Sequence, residues 1–141
     1  MTHAAMVVDA SVAIKWVLPE EGRIPALRLL DQYRDGQATL IAPRLLLSET
    51  ASVLWKRVRR GDLTRSQATQ AYGFVIENAP KLVDSPRVWA SALQLALAHG
   101  QTVYDCLYLS LALDQQCDFI TADHRFYAAL GVAFPSIRSL D

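Results

Sequence analysis

A chain of 141 residues suits one domain and buries roughly 68–70% of its unfolded surface on folding. A hydrophobic fraction of 52% against 20% charged residues excludes intrinsic disorder, and the lack of Gly, Ser or Pro tracts excludes a linker, so residues 1–141 read as a single unit. The 14 basic and 14 acidic side chains cancel, so no global field draws the chain to a polyanion, and contact with nucleic acid has to come from local patches.

The first apolar run opens at Ala4 and meets Asp9 a few residues later, which leaves no charged leader and apolar core for an export signal. Within that run Ala5–Val8 reads as a strand, and Thr39–Ala42 as a second. Behind Pro43, Leu47, Ala51, Leu54 and Val58 recur at helical spacing as far as Gly61, and Thr64 with Gln67 forms a capping box for another helix. Lys81–Val83 gives a third short strand. Ser85-Pro86 opens a helix that stops at Gly100, and Thr102 opens an apolar one running through Leu107, Leu111 and Leu113 toward Gln116. Phe119–Thr121 reads as a fourth strand, a short helix surrounds Phe126, and Val132–Phe134 is a fifth strand candidate.

The longest apolar stretch, Val88 to Ala98, is broken by Ser91 and Gln94 and falls short of the ~20 residues that span a bilayer, so no membrane insertion is expected. Strands alternating with helices predict an α/β sandwich around a mostly parallel sheet. Cys106 and Cys117 lack CxxC or Cys/His spacing, which argues against a disulfide or a zinc site and fits a reducing cytoplasmic setting.

Four acids carry the chemistry. Asp9 ends the first strand, and Asp123 follows the fourth; in a parallel sheet the carboxyl ends of strands form the crevice where ligands bind. Either acid alone has a plain explanation, since an aspartate just before a helix caps it, as Ser11 also would. Glu49 lies early in the helix after Pro43, where a negative charge suits the dipole, yet it shares helical spacing with Leu46 and Val53. Asp105 stands three residues after Thr102, as in a capping box, but on one face with Tyr108, Leu109 and Ala112. Taken together, four acids at element ends make a dense negative cluster that calls for a cation. Oxygen ligands without histidine or thiol suit Mg²⁺ or Mn²⁺. Such ions activate water and neutralise charge developing on a phosphodiester, which is the chemistry of a nuclease.

The stretches Val7-Val8-Asp9-Ala10-Ser11, Pro43 to Ser48-Glu49, Tyr104-Asp105-Cys106-Leu107-Tyr108 and Thr121-Ala122-Asp123 resemble the PIN-domain ribonucleases, and among them the VapC-type toxins of bacterial toxin–antitoxin pairs. The resemblance runs in order from about Val7 to Phe134 and extends to Ile14-Lys15-Trp16, Trp55-Lys56-Arg57 and Ala96 through Gly100. It implies a Rossmann-like sheet, one or two Mg²⁺ or Mn²⁺ ions, and hydrolysis of RNA. Asp9, Glu49, Asp105 and Asp123 match the family's acidic metal-binding and catalytic positions, and Ser11 and Thr121 match polar positions beside the metal. The same resemblance implies a homodimer and a small antitoxin protein that covers or enters the active site.

Lys56, Arg57, Arg59, Arg60 and Arg65 crowd five basic residues into ten positions, a patch that suits phosphates or an acidic partner, or else simply a solvated helix end before Gly61. Of His3, His99 and His124, only His124 adjoins one of the acids. Trp16, Trp55, Trp89, Tyr104 and Tyr108 fall at helical spacings or beside apolar runs and are expected to pack rather than to stack on bases. Two other functions compete with the nuclease. An Asp9-nucleophile phosphotransferase is weakened by Ser11, which stands where a second aspartate would be expected. A PIN-like binding module keeping the acids only as caps would be told apart by whether it binds a divalent metal.

Overall fold

The computed structural model describes residues 4–141. Among them the chain forms five strands and seven helices: β1 (Ala4–Val8), α1 (Ala10–Ala13), α2 (Arg23–Arg34), β2 (Ala38–Ala42), α3 (Leu45–Arg59), α4 (Arg65–Glu77), β3 (Lys81–Leu82), α5 (Pro86–His99), α6 (Val103–Gln115), β4 (Asp118–Thr121), α7 (His124–Leu130) and β5 (Ile137–Ser139). All five strands pair in parallel in the order β3-β2-β1-β4-β5. The sheet is therefore wholly parallel, the limiting case of the mostly parallel expectation. Right-handed crossovers then place helices on both faces, giving the three-layer α/β sandwich.

The chain steps outward from β1 through β2 to β3 and then returns to the other side of β1 for β4 and β5. Strand order thus reverses between β1 and β4, and the crevice beyond their carboxyl ends is the switch point where such sheets bind ligands. Both central strands are apolar because helices cover each face: Met6, Val7, Val8, Phe119 and Ile120 are all buried. α6 is the most deeply set helix, with every residue from Cys106 to Ala112 buried.

Local chemistry accounts for most boundaries. Thr64 and Gln67 close a reciprocal capping box at 3.1 and 2.9 Å, and Pro86 occupies the first turn of α5. α3 ends where Gly61 takes φ +84°, with Asp62 N–H returning to the Arg57 carbonyl at 2.9 Å. Two elements depart from the sequence reading. α2 begins after Gly22, which has no side chain to cap it, and carries Pro25 in its first turn; its buried face of Ala26, Leu29 and Leu30 holds it in place. The fifth strand is Ile137–Ser139, not Val132–Phe134: Val132 is 95% exposed in a turn before Pro135, and only from Ile137 does the main chain meet β4.

Candidate active site

Asp9 leaves β1 as the N-cap of α1, and its carboxylate accepts three hydrogen bonds. Ser11 Oγ donates to Oδ1 at 2.5 Å, Val12 N–H to Oδ1 at 3.3 Å and Thr121 Oγ1 to Oδ2 at 2.6 Å. The fourth contact in the network comes from the other strand, since Ser11 Oγ itself accepts Ala122 N–H at 2.9 Å. Thr121 Oγ1 likewise accepts Asp123 N–H at 3.0 Å. Two hydroxyls therefore stitch the end of β1 to the end of β4 and fix Asp9 beside Asp123. Asp123 also caps α7, its Oδ1 accepting Phe126 N–H at 3.1 Å. Capping and clustering are both true of these two acids.

Burial pushes the Asp9 carboxyl up from 3.8 to about 6, against the opposing pull of the Ser11, Thr121 and Val12 donors, and the Asp123 charge pushes the same way as burial. Glu49, half-buried on α3, is also raised, first by burial and further by the Asp105 charge, with the Tyr108 hydrogen bond opposing. Tyr108 Oη donates to Glu49 Oε1. Its ring is buried and stacked on Phe119 at 5.9 Å, and burial with the Glu49 and Asp9 charges raises its phenol, so it remains a neutral donor. Asp105, in the first turn of α6, takes its N-cap bond through its backbone, Asp105 N–H to Thr102 Oγ1 at 3.2 Å, which frees the carboxylate. Arg125 Nη2 stands 3.7 Å from Asp105 Oδ2.

The four acids thus fall into two neighbouring pairs, Asp9 with Asp123 on the strand ends and Glu49 with Asp105 on the helices, bridged by Tyr108. Among the described residues, Asp9, Glu49 and Asp123 form no ion pair with lysine or arginine. Nor do any three Asp, Glu, His or Cys side chains there close into a metal cage. That donor set fits a hard divalent ion, since Mg²⁺ is held by one or two carboxylates and keeps several waters. A closed cage would suit a structural ion instead.

Two contributors escaped the sequence reading. The apolar pattern points Tyr108 to packing, although its place three residues after Asp105 puts both on one helix face. Arg125, two residues after Asp123, had no distinguishing signal. Arg57 pairs with Glu20, Arg60 with Asp62 at 2.8 Å, and Arg59 lies 5.4 Å over the Trp55 ring, so the basic run is divided among separate contacts. His124 points to Asp141 at 3.9 Å, and His3 lies outside the described residues. Trp16 is buried with Nε1–H on the Ala26 carbonyl, whereas Trp55, Trp89 and Tyr104 are exposed. Both cysteines are free, and burial raises the Cys106 thiol to about 11, which keeps it unreactive.

Residues 6–130 match the PIN domain family. The chain belongs to it. This PIN domain is 34% identical over 134 residues to "Ribonuclease VapC3" of Pyrobaculum aerophilum, an alignment covering 94% of this chain and 96% of the relative. It is 33% identical over 96 residues to "Ribonuclease VapC1" of Mycobacterium tuberculosis, covering 64% and 68%. Its fold matches the crystal structure of PAE2754 from Pyrobaculum aerophilum with TM-score 0.72 at 20% identity, over 99% of this chain and 92% of the other. The crystal structure of Mycobacterium tuberculosis VapC20, described as a sarcin-ricin loop cleaving toxin, matches with TM-score 0.64 at 15% identity, over 88% and 94%.

Proposed function

We propose that this PIN domain is a VapC-type ribonuclease toxin that hydrolyses RNA with Mg²⁺ or Mn²⁺ at Asp9, Glu49, Asp105 and Asp123. The observation that carries the reading is Asp9: a buried carboxylate at the switch point, next to a second acid and without a basic partner, in a chain of this family. Asp9 and Asp123 would hold the ion from the strand ends, and Glu49 and Asp105 would face it from the helices. A bound divalent cation supplies Lewis-acid stabilisation of the charge that develops on a phosphodiester. Ser11 and Thr121 fix the orientation of Asp9, and Tyr108 fixes that of Glu49. Arg125, paired with Asp105 at the rim, is placed to exchange that carboxylate for an RNA phosphate. Hydrolysis adds water across one P–O bond, leaving a phosphate monoester on one fragment and a hydroxyl on the other.

The phosphotransferase reading is disfavoured by the same geometry. Ser11 stands two residues after Asp9, where that chemistry expects a second acid, and its hydroxyl donates to Asp9 Oδ1. A small antitoxin protein and a homodimer complete the proposal as partners, with the cytoplasm as its place. No helix among the described residues is long and apolar enough to cross a membrane.

The test is cleavage of a labelled unstructured RNA by the purified protein with Mg²⁺, with Mn²⁺ and with excess EDTA, beside the variant Asp105→Asn. Cleavage that requires the metal and is lost in Asp105→Asn is expected. Undiminished cleavage in EDTA would overturn the metal-dependent reading.

A further inference from the structure

A cleft of about 430 Å³ runs away from the acids between α3 and the start of α6, lined by Ala10, Ser48, Glu49, Ser52, Lys56 and Tyr104 among others. Its volume lies in the range of roughly 300–1,000 Å³ that holds small organic ligands. One end is the reaction centre: Ala10 follows Asp9, and Glu49 is one of the four acids. From there Glu49, Ser52 and Lys56 follow one another along a single face of α3, at spacings of three and four residues. That face is acidic at the reaction centre, hydroxylated in the middle and cationic at the far end, about 10 Å of helix away.

The opposite wall is Tyr104. Its neighbour Asp105 belongs to the acid cluster, yet the Tyr104 ring is 56% exposed. It is braced rather than loose, since Trp89 meets it edge-on at 6.5 Å. Lys56 is exposed and, among the described residues, forms no ion pair, whereas its neighbour Arg57 is committed to Glu20. An exposed, braced aromatic ring facing hydroxyls and an unpaired ammonium matches the parts of a nucleotide: base, ribose and phosphate.

We propose that this cleft is a subsite for one unpaired RNA nucleotide beside the scissile phosphate, its base stacked on Tyr104 and its phosphate held by Lys56. The inference rests on the ribonuclease reading and names the side chains that would hold the substrate at that site. A base in a duplex must first be unpaired and unstacked before it can lie on a side-chain ring, whereas unpaired bases do so readily and with little sequence preference. Ser48 and Ser52 supply donors and acceptors at the height of the ribose, where a 2′-hydroxyl distinguishes RNA from DNA.

The experiment measures KM and kcat on a short unstructured RNA and on the same RNA fully paired, for the parent, Tyr104→Ala, Tyr104→Phe and Lys56→Gln. Equilibrium binding of the unstructured RNA in EDTA at several salt concentrations accompanies it. Tyr104→Ala should raise KM roughly tenfold with kcat little changed, on the scale of one lost base–aromatic stack, while Tyr104→Phe keeps the ring and stays near the parent. Lys56→Gln should lower the slope of log affinity against log salt by about 0.7, the value for one phosphate contact on a single strand. Both side chains are exposed, so melting temperatures should not move. A parent that cleaves RNA while Tyr104→Ala and Lys56→Gln keep its KM, affinity and salt slope overturns the subsite and leaves the ribonuclease standing. A parent that neither cleaves nor binds RNA overturns both. If Tyr104→Ala instead leaves RNA binding intact and abolishes self-association in a sizing experiment, the face belongs to a second copy of the chain and the subsite is refuted.

Discussion

Replacing Asp9 by Asn keeps the side-chain shape and removes a charge that folding buries. With the carboxyl raised from 3.8 to about 6, the ionised form costs the folded state about 3 kcal/mol at neutral pH. The sign follows from proton binding. Between these two values the folded protein holds a proton that the unfolded chain releases, so the stability present below pH 3.8 is lost as pH rises through about 6. The amide forgoes part of this gain, because Ser11 and Thr121 both donate to Asp9 and an Asn nitrogen facing one of them loses a partner, a penalty of about 1 kcal/mol. Asp9→Asn in EDTA is therefore expected to be about 2 kcal/mol more stable than the parent at pH 7, and equal or slightly less stable at pH 4. Urea unfolding of both proteins at the two pH values measures the difference directly. Saturating Mn²⁺ should reverse the order at pH 7, because only the parent gains the linkage of a tightly bound ion, about 2.7 kcal/mol at a hundredfold excess over Kd. A stability difference that is the same at pH 4 and pH 7 would refute the account of Asp9 as a buried charge.

Tyr108→Phe removes the donor to Glu49 while keeping the stack on Phe119; it should cost about 1–2 kcal/mol in stability and weaken Mn²⁺ binding, read by calorimetry on the folded variant. Gly131→Ala should destabilise the domain by about 1–3 kcal/mol in thermal melting, since an added Cβ would lie 2.6 Å from the Tyr127 carbonyl oxygen at the end of α7. Expression of the chain alone should arrest growth of a bacterial host, and Asp9→Asn or Asp105→Asn should relieve the arrest at equal protein level, scored by colony counts.

Those acids were legible in the sequence because each sits where pattern changes: a strand end for Asp9 and Asp123, a helix start for Glu49 and Asp105. Their pairing was not, because it depends on strand order. No local signal in Val7-Val8-Asp9 or Thr121-Ala122-Asp123 says that β4 returns to lie against β1, which is what brings Thr121 within 2.6 Å of Asp9. Tyr108 illustrates a second limit. A buried aromatic in an apolar helix reads as packing, and its hydroxyl becomes informative only when α3 supplies Glu49 across the gap. At the other extreme, β5 carries a single buried residue, Ile137, too few to show a period, whereas the more apolar Val132–Phe134 attracts attention and forms a turn.

The reversal of strand order also sets a clock on the enzyme. Asp9 and Thr121, one of the two hydroxyls that orient it, stand 112 positions apart, so the acid is synthesised well before that partner. At about 5–20 residues per second, a growing chain carries its first acid for roughly 6–22 s before the last wall of the site exists. Every shorter nascent fragment has only half of each bridge between β1 and β4. A chain that stops short of Thr121 lacks the bridge that fixes its first acid beside Asp123.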